Sequence, residues 1–192
     1  PISNLQETGI NSLINYLKEE AYNNKPQTIK GEFRLAIDRK FNLKGTGLIV
    51  TGTIFSGVIR KGDNIILSPK GIEGRVRGIQ SQNKVSEVAY TGQRCALNLV
   101  GMNVEKSSIS RGDWILSKEL HFPSNCMDAV ISVSLNEKKS LKSWTRAHLH
   151  LGSSKIICRV ITLKDKEIMP GCNGLVQLKL EQETSSSFED LS

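Results

Sequence analysis

His148 and His150 stand two residues apart, so on a β-strand both imidazoles project from one face, an arrangement that suits two ligands of a metal ion. No third His, Cys, Asp or Glu follows at ligand spacing, and the pair reads as exposed histidines rather than a metal site. Lys44-Gly45-Thr46-Gly47 has the glycines of a phosphate cradle. Such a cradle leads into a helix N-terminus, whereas this one leads into the strand-like Leu48-Ile49-Val50-Thr51, and a bent hairpin is the reading it supports. Cys95, Cys126, Cys158 and Cys172 contain no C-x-x-C pair. They read as reduced, mostly buried thiols of a cytoplasmic protein, not as a zinc site or a disulfide framework. No Ser-His-Asp set and no pair of carboxylates falls in a catalytic frame, so neither a catalytic residue nor a resident cofactor is expected on this chain.

Two stretches echo each other: Arg60-Lys61-Gly62-Asp63 ahead of Asn64-Ile65-Ile66-Leu67, and Ser110-Arg111-Gly112-Asp113 ahead of Trp114-Ile115-Leu116. Glycine opens a tight turn, and the aspartate is expected to cap the amides beyond it as a strand begins. The charge is unevenly spread. Of 192 residues with a net charge of +7, residues 28–100 hold the whole excess, with twelve basic residues against five acidic ones. That segment is where an anionic partner would bind, and nucleic acid is the usual one. No stretch is apolar enough to span a membrane, so no membrane partner is expected.

The elements that must position these residues follow from the apolar period. Ile10, Leu13, Ile14 and Leu17 form one stripe of a helix over roughly 9–21, with Thr8 as its N-cap. Asn23-Asn24-Lys25-Pro26-Gln27 then reads as a linker. From Phe33 the period becomes two, with strands over 33–37, 48–53, 64–67, 75–79, 94–100 and 114–116. His121-Phe122-Pro123-Ser124-Asn125 reads as a hinge before a second group over 127–135, 146–151, 155–163 and 175–180. Glu181 to Ser192 is polar and acidic and reads as a disordered tail. The strand spacing fits closed barrels or a sandwich. A chain opening on Pro1 reads as a piece of a longer protein.

Phe33-Arg34-Leu35-Ala36-Ile37-Asp38-Arg39, Lys44-Gly45-Thr46-Gly47 and Val50-Thr51-Gly52-Thr53 resemble the second domain of the translational GTPases. Gly57, Gly62-Asp63, Gly92-Gln93-Arg94, Ala96-Leu97-Asn98 and Arg111-Gly112-Asp113 continue that pattern in order. Ile37-Asp38-Arg39, Arg75-Val76-Arg77-Gly78-Ile79-Gln80 and Gly92-Gln93-Arg94-Cys95-Ala96-Leu97-Asn98 narrow the resemblance to selenocysteine-specific elongation factors, relatives of elongation factor Tu. Arg146-Ala147-His148-Leu149-His150-Leu151-Gly152 looks like a strand of their third domain.

The resemblance implies an all-β fold of two tandem antiparallel β-barrels preceded by one amphipathic helix. It assigns residues 1–27 to the end of a GTPase domain, 28–120 to a barrel binding the aminoacyl end, 121–183 to a barrel binding the transfer-RNA stem, and 184–192 to the tail. It implies a selenocysteyl pocket at Asp38, Arg39 and Arg94. Lys138, Lys139, Lys142, Arg146, His148 and His150 are the candidate transfer-RNA contacts. The implied partners are selenocysteyl-transfer RNA, the protein's own GTPase domain and, through the parent protein, the ribosome and the selenocysteine-insertion messenger-RNA hairpin. GTP and Mg2+ belong to the parent's GTPase domain, and this chain by itself is expected to catalyse nothing. The competing readings are another translational GTPase, of the initiation or general elongation type, and a stand-alone β-barrel protein-interaction module.

Overall fold

The computed structural model describes residues 1–23, 31–43, 45–101 and 109–185. Helix α1 covers Ile10–Asn23, and its first bond runs from the Leu13 N–H to the Gly9 carbonyl at 3.0 Å, so Gly9 rather than Thr8 caps it. None of its residues is buried, and Leu13, Ile14 and Leu17 of the apolar stripe are all exposed. The expected linker lies outside the described residues apart from Asn23, which ends the helix.

The strands follow in order: β1 (Arg34–Leu43), β2 (Gly47–Ser56), β3 (Val58–Arg60), β4 (Asn64–Ser68), β5 (Ile72–Ser81), β6 (Lys84–Ser86), β7 (Val88–Tyr90), β8 (Arg94–Val100) and β9 (Trp114–Leu116). All the pairings are antiparallel, and the order β4-β9-β1-β2-β8-β5 returns to β4, closing a six-strand barrel. The alternation dictates its core. Leu35, Ile37, Val50, Ile54, Leu67, Val76, Leu97, Leu99 and Ile115 point inward and are almost wholly buried. A small β3–β7 ribbon and β6 complete the unit.

Beyond Pro123 come β10 (Ser124–Ser132), β11 (Leu141–Lys142), β12 (Thr145–Leu151), β13 (Ser154–Thr162), β14 (Glu167–Ile168) and β15 (Asn173–Thr184). The sheet β10-β15-β13-β12 and the β11–β14 ribbon enclose a second core of Ile156, Cys158, Val160, Ile168, Val176, Leu178 and Leu180. The expected hinge residues Ser124 and Asn125 already belong to β10. The expected tail begins late: Thr184 ends β15, and the buried Ser185 hydroxyl lies 2.5 Å from that of Ser68 in the first barrel. Residues 186–192 lie outside the described part.

The two units share a third cluster of Ala36, Ile66, Trp114, Leu116 and Leu151. Trp114 is fully buried there, with the Arg34 guanidinium 4.7 Å from its ring centroid. Alternation with the inward-facing Leu35 and Ile37 would leave Arg34 and Ala36 on a solvated face, but both are buried because the second unit covers it. The β12–β13 turn makes the approach: a Cβ at Gly152 would stand 3.0 Å from the Ala36 Cβ and 3.1 Å from the Trp114 ring, and its φ of 55° itself favours glycine.

Candidate functional site

The candidate pocket residues are brought together by an irregularity in β1. Ile37 pairs with Gly52 and Arg39 with Thr51, so Asp38 is the extra residue of a β-bulge. Gly52 makes the bulge possible, since a Cβ there would lie 2.1 Å from the Ala36 carbonyl oxygen. In the next strand pair Thr53 faces Arg94 and Thr51 faces Ala96, which sets Arg94 across β2 from the bulge.

Asp38 and Arg94 meet directly. Arg94 Nε and Nη2 donate to Asp38 Oδ2 at 2.9 and 2.8 Å, and Thr51 Oγ1 donates to Oδ1 at 2.5 Å. Partial burial pushes the Asp38 carboxyl up. The hydrogen bonds from Thr51 and Arg94 and the charges of Arg94 and Arg39 outweigh it, so Asp38 titrates below the ordinary aspartate value. Arg39 is exposed beside it with no ion pair among the described residues. Arg94 remains half exposed and keeps its Nη1 donors outside the pair with Asp38.

Arg94 and Thr51 lie in the lining of a cleft of about 500 Å³ that also includes Gln80, Gln82, Asn83, Gln93 and Cys95. Its lip is the two-residue β5–β6 turn at Gln82 and Asn83, whose φ values of 51° and 61° are those of a tight hairpin. Burial raises the Cys95 thiol to about 12 against the opposing charge of Arg94, so it is protonated and unreactive at neutral pH. A second cleft of about 400 Å³ adjoins the first, sharing Gln80 and Ala96, and is lined further by Ile49, Arg77, Val85 and Asn98. Thr51, Gln80 and Gln93 stood in the quoted motifs but were not assigned to the pocket, because only the folded strands and the β5–β6 turn place them beside Arg94.

The six transfer-RNA contact candidates separate into two settings. Lys138, Lys139 and Lys142 rim a groove of about 950 Å³ floored by Ile131, Val133, Leu141 and Met169. Arg146, His148 and His150 share the exposed face of β12. On that face Arg146 stands opposite Arg159, Arg159 opposite Lys179, and His150 opposite Lys155. Among the described residues of this row, Arg146 approaches an acid, Glu181, at 4.0 Å. Like charges set directly across a sheet repel each other, and this row is the arrangement a polyanion would relieve. Lys155, Arg159 and Lys179 share this face and were not among the expected contacts, although their positions in period two along β13 and β15 place them there. Among the described residues no group of three or more His, Cys, Asp or Glu is placed to hold a metal.

The two Gly-Asp turns are structural, as expected, with one difference. Asp63 and Asp113 each accept from the amide three residues earlier, Arg60 and Ser110, both at 2.8 Å, rather than from amides beyond them. Lys44 lies outside the described residues. The rest of its motif is the β1–β2 hairpin, with Leu43 facing Gly47.

Comparison with known proteins agrees with this architecture. The family model of elongation factor Tu domain 2 matches residues 47–116, and that of the beta-barrel domain of the selenocysteine-specific elongation factor matches residues 128–191. A selenocysteine-specific elongation factor of Desulfomicrobium baculatum is 32% identical over 190 residues, covering 99% of this chain and 30% of the relative. One from Escherichia coli (strain K12) is 43% identical over 133 residues, covering 69% of this chain and 21% of the relative. The crystal structure of a bacterial selenocysteine-specific elongation factor superposes with a TM-score of 0.76 at 25% identity, over 97% of this chain and 29% of that one. The chain thus spans less than a third of the length of these proteins. No described helix is long and apolar enough to cross a membrane.

Proposed function

The chain belongs to the family of selenocysteine-specific elongation factors, and from that premise we propose that its first barrel receives the selenocysteyl group of an aminoacyl-transfer RNA while its second holds the stem. The observation that carries the reading is the Asp38–Thr51–Arg94 constellation at the edge of the 500 Å³ cleft, with Arg39 beside it.

A selenol is more acidic than a thiol and is an anion at neutral pH. Arg94 is held by Asp38 through one edge of its guanidinium and offers the other to that anion, with Arg39 as a second cation. Lone pairs of Asp38 remain for the ammonium group of the ester-linked amino acid. A serine hydroxyl is neutral and cannot compensate Arg94 for the water it loses. A hydrogen bond to a charged group contributes about 1.5–3 kcal/mol, so one arginine supplies on the order of 10- to 100-fold discrimination. The adjoining cleft that shares Gln80 and Ala96 suits the terminal nucleoside that carries the ester.

The phosphate backbone of the stem would follow Arg146, Arg159 and Lys179 and their neighbours, with Lys138, Lys139 and Lys142 further along the second barrel. The exposed stripe of α1 fits the end of a GTPase domain whose remaining helices would cover it. GTP and Mg2+ would bind in that domain of the whole factor. Delivery to the ribosome, the messenger-RNA hairpin contact and a cytoplasmic site of action belong to the whole factor as well.

Titration of one transfer RNA charged with selenocysteine or with serine, at fixed salt, tests the reading. Tighter binding of the selenocysteyl form, with both affinities falling steeply as salt rises, is the expected result. Equal affinities, or a response flat in salt, would remove it and favour a protein-interaction module.

A further inference from the structure

The Ile37 carbonyl, one peptide bond before Asp38, is held from two sides. Within the first barrel the Gly112 N–H donates to it at 2.9 Å, and from the second barrel the Ser153 hydroxyl donates to it at 2.5 Å. The Ile37 N–H donates in turn to the Asp113 carbonyl at 2.9 Å. A peptide group is planar, so fixing its carbonyl fixes the plane that ends at the Asp38 Cα. The regular ladder is interrupted at this point. Pairing of β1 with β9 stops at Ala36, and Asp38 is the bulge residue that lacks a partner on β2. The glycine beside Ser153 shows that the turn is seated on β1, since any side chain at Gly152 would meet Ala36 and Trp114.

We propose that Ser153 is a positioning residue for the pocket, through which the β12–β13 turn sets the aim of the Asp38 carboxylate and, by way of it, of Arg94. The inference rests on the aminoacyl-pocket reading above. It makes the second barrel a determinant of selectivity although none of its residues lines the 500 Å³ cleft. The hairpin that ends in Ser153 also carries Arg146, His148, His150, Lys155 and Arg159 on its outer face. A nucleic acid on the strands and an amino acid in the cleft would therefore address the same hairpin, one from its face and the other from its turn.

Three variants of this chain separate positioning from mere stability. Ser153→Ala deletes the donor, and Ser153→Thr keeps it. Ser154→Ala deletes a neighbouring hydroxyl that bonds within the turn, to the Leu151 carbonyl at 2.8 Å. Carbon-13 NMR titration of Asp38 reads the geometry with no ligand present. In Ser153→Ala the bonds from Thr51 and Arg94 loosen and the Asp38 titration moves up toward the ordinary aspartate value, while the other two variants leave it in place. An unmoved titration in Ser153→Ala, or an equal movement in Ser154→Ala, overturns the proposal.

Binding supplies the second readout. Ser153→Ala should lower the ratio of selenocysteyl- to seryl-transfer-RNA affinity by about 2- to 10-fold, the worth of one hydrogen bond, and Ser153→Thr should restore it. If Arg94→Ala changes that ratio and Ser153→Ala does not, the positioning role is wrong and the pocket stands. If neither changes it, the pocket reading fails, and the Asp38 titration alone decides the role of Ser153.

Discussion

In the first barrel the candidate pocket residues come from three strands and meet because β1 is irregular at Asp38 and β2 has a glycine beneath it. In the second barrel the basic row of Arg146, Arg159 and Lys179 exists because the strands are regular: residues in register on neighbouring strands share a face. The two sites ask different things of a sheet. Discriminating one small group from another needs donors converging at fixed angles, which a flat ladder does not offer. Binding a phosphate backbone needs charge spread over a surface, and simple alternation supplies it.

The comparison depends first on the two units being joined through Trp114. That side chain is fully buried, with the edge-on ring of Phe55 at 5.3 Å and Leu151 of the second unit in its cluster. Trp114→Ala should destabilise the chain by about 3–5 kcal/mol in urea unfolding and split one transition into two. A single transition with little loss would mean the barrels are coupled elsewhere.

The next largest effect tests the irregularity. Gly52→Ala places a Cβ against the Ala36 carbonyl and should destabilise by about 1–3 kcal/mol, while abolishing the lowered Asp38 titration. Gly78→Ala, also at a register slip but with only the Asn98 Cβ at 4.0 Å, should stay within about 0.5 kcal/mol of the parent chain. Equal losses at the two glycines would show that the Asp38 bulge is not specially built.

The smallest effect is electrostatic. Because Asp38 titrates lower in the folded chain, its ion pair stabilises fully above the unfolded aspartate value of about 3.9 and is lost as the pH falls through the lower folded value. With Arg94 half exposed, the pair is worth about 0.5–1 kcal/mol. Asp38→Asn should therefore be less stable than the parent near neutrality, and the difference should vanish on acidification. A difference that persists in acid would assign the loss to packing.

Much of this was legible in the residues. Period two marked most of the long strands, and Gly-Asp marked both turns. The short strands β3, β6, β7, β11 and β14 went unseen, because two or three residues carry no period; β9, equally short, was marked by the Gly-Asp turn ahead of it. The capping direction of Asp63 and Asp113 was misread, since a turn aspartate can bond backward as well as forward. Asp38, Arg39 and Arg94 were singled out only through family resemblance: in the bare sequence 56 positions separate Asp38 from Arg94, and no rule of spacing predicts a bulge. Ser153 was invisible for the same reason. Its role lies in a contact between two barrels whose strands can each be read alone.

The central claim is that Arg94, held by Asp38, recognises the charge of the amino acid and not the nucleic acid behind it. The dissociation constants of Arg94→Ala for selenocysteyl- and seryl-transfer RNA, set against those of the parent chain and of Lys118→Ala, measure it directly. Lys118 is a suitable control because its amino group pairs with Glu73 at 2.9 Å and lies outside the cleft. The account predicts that Arg94→Ala weakens the selenocysteyl form by about 10- to 100-fold, leaves the seryl form nearly unchanged, and that Lys118→Ala keeps the parent ratio. An Arg94→Ala chain that loses both forms equally, or neither, would contradict it.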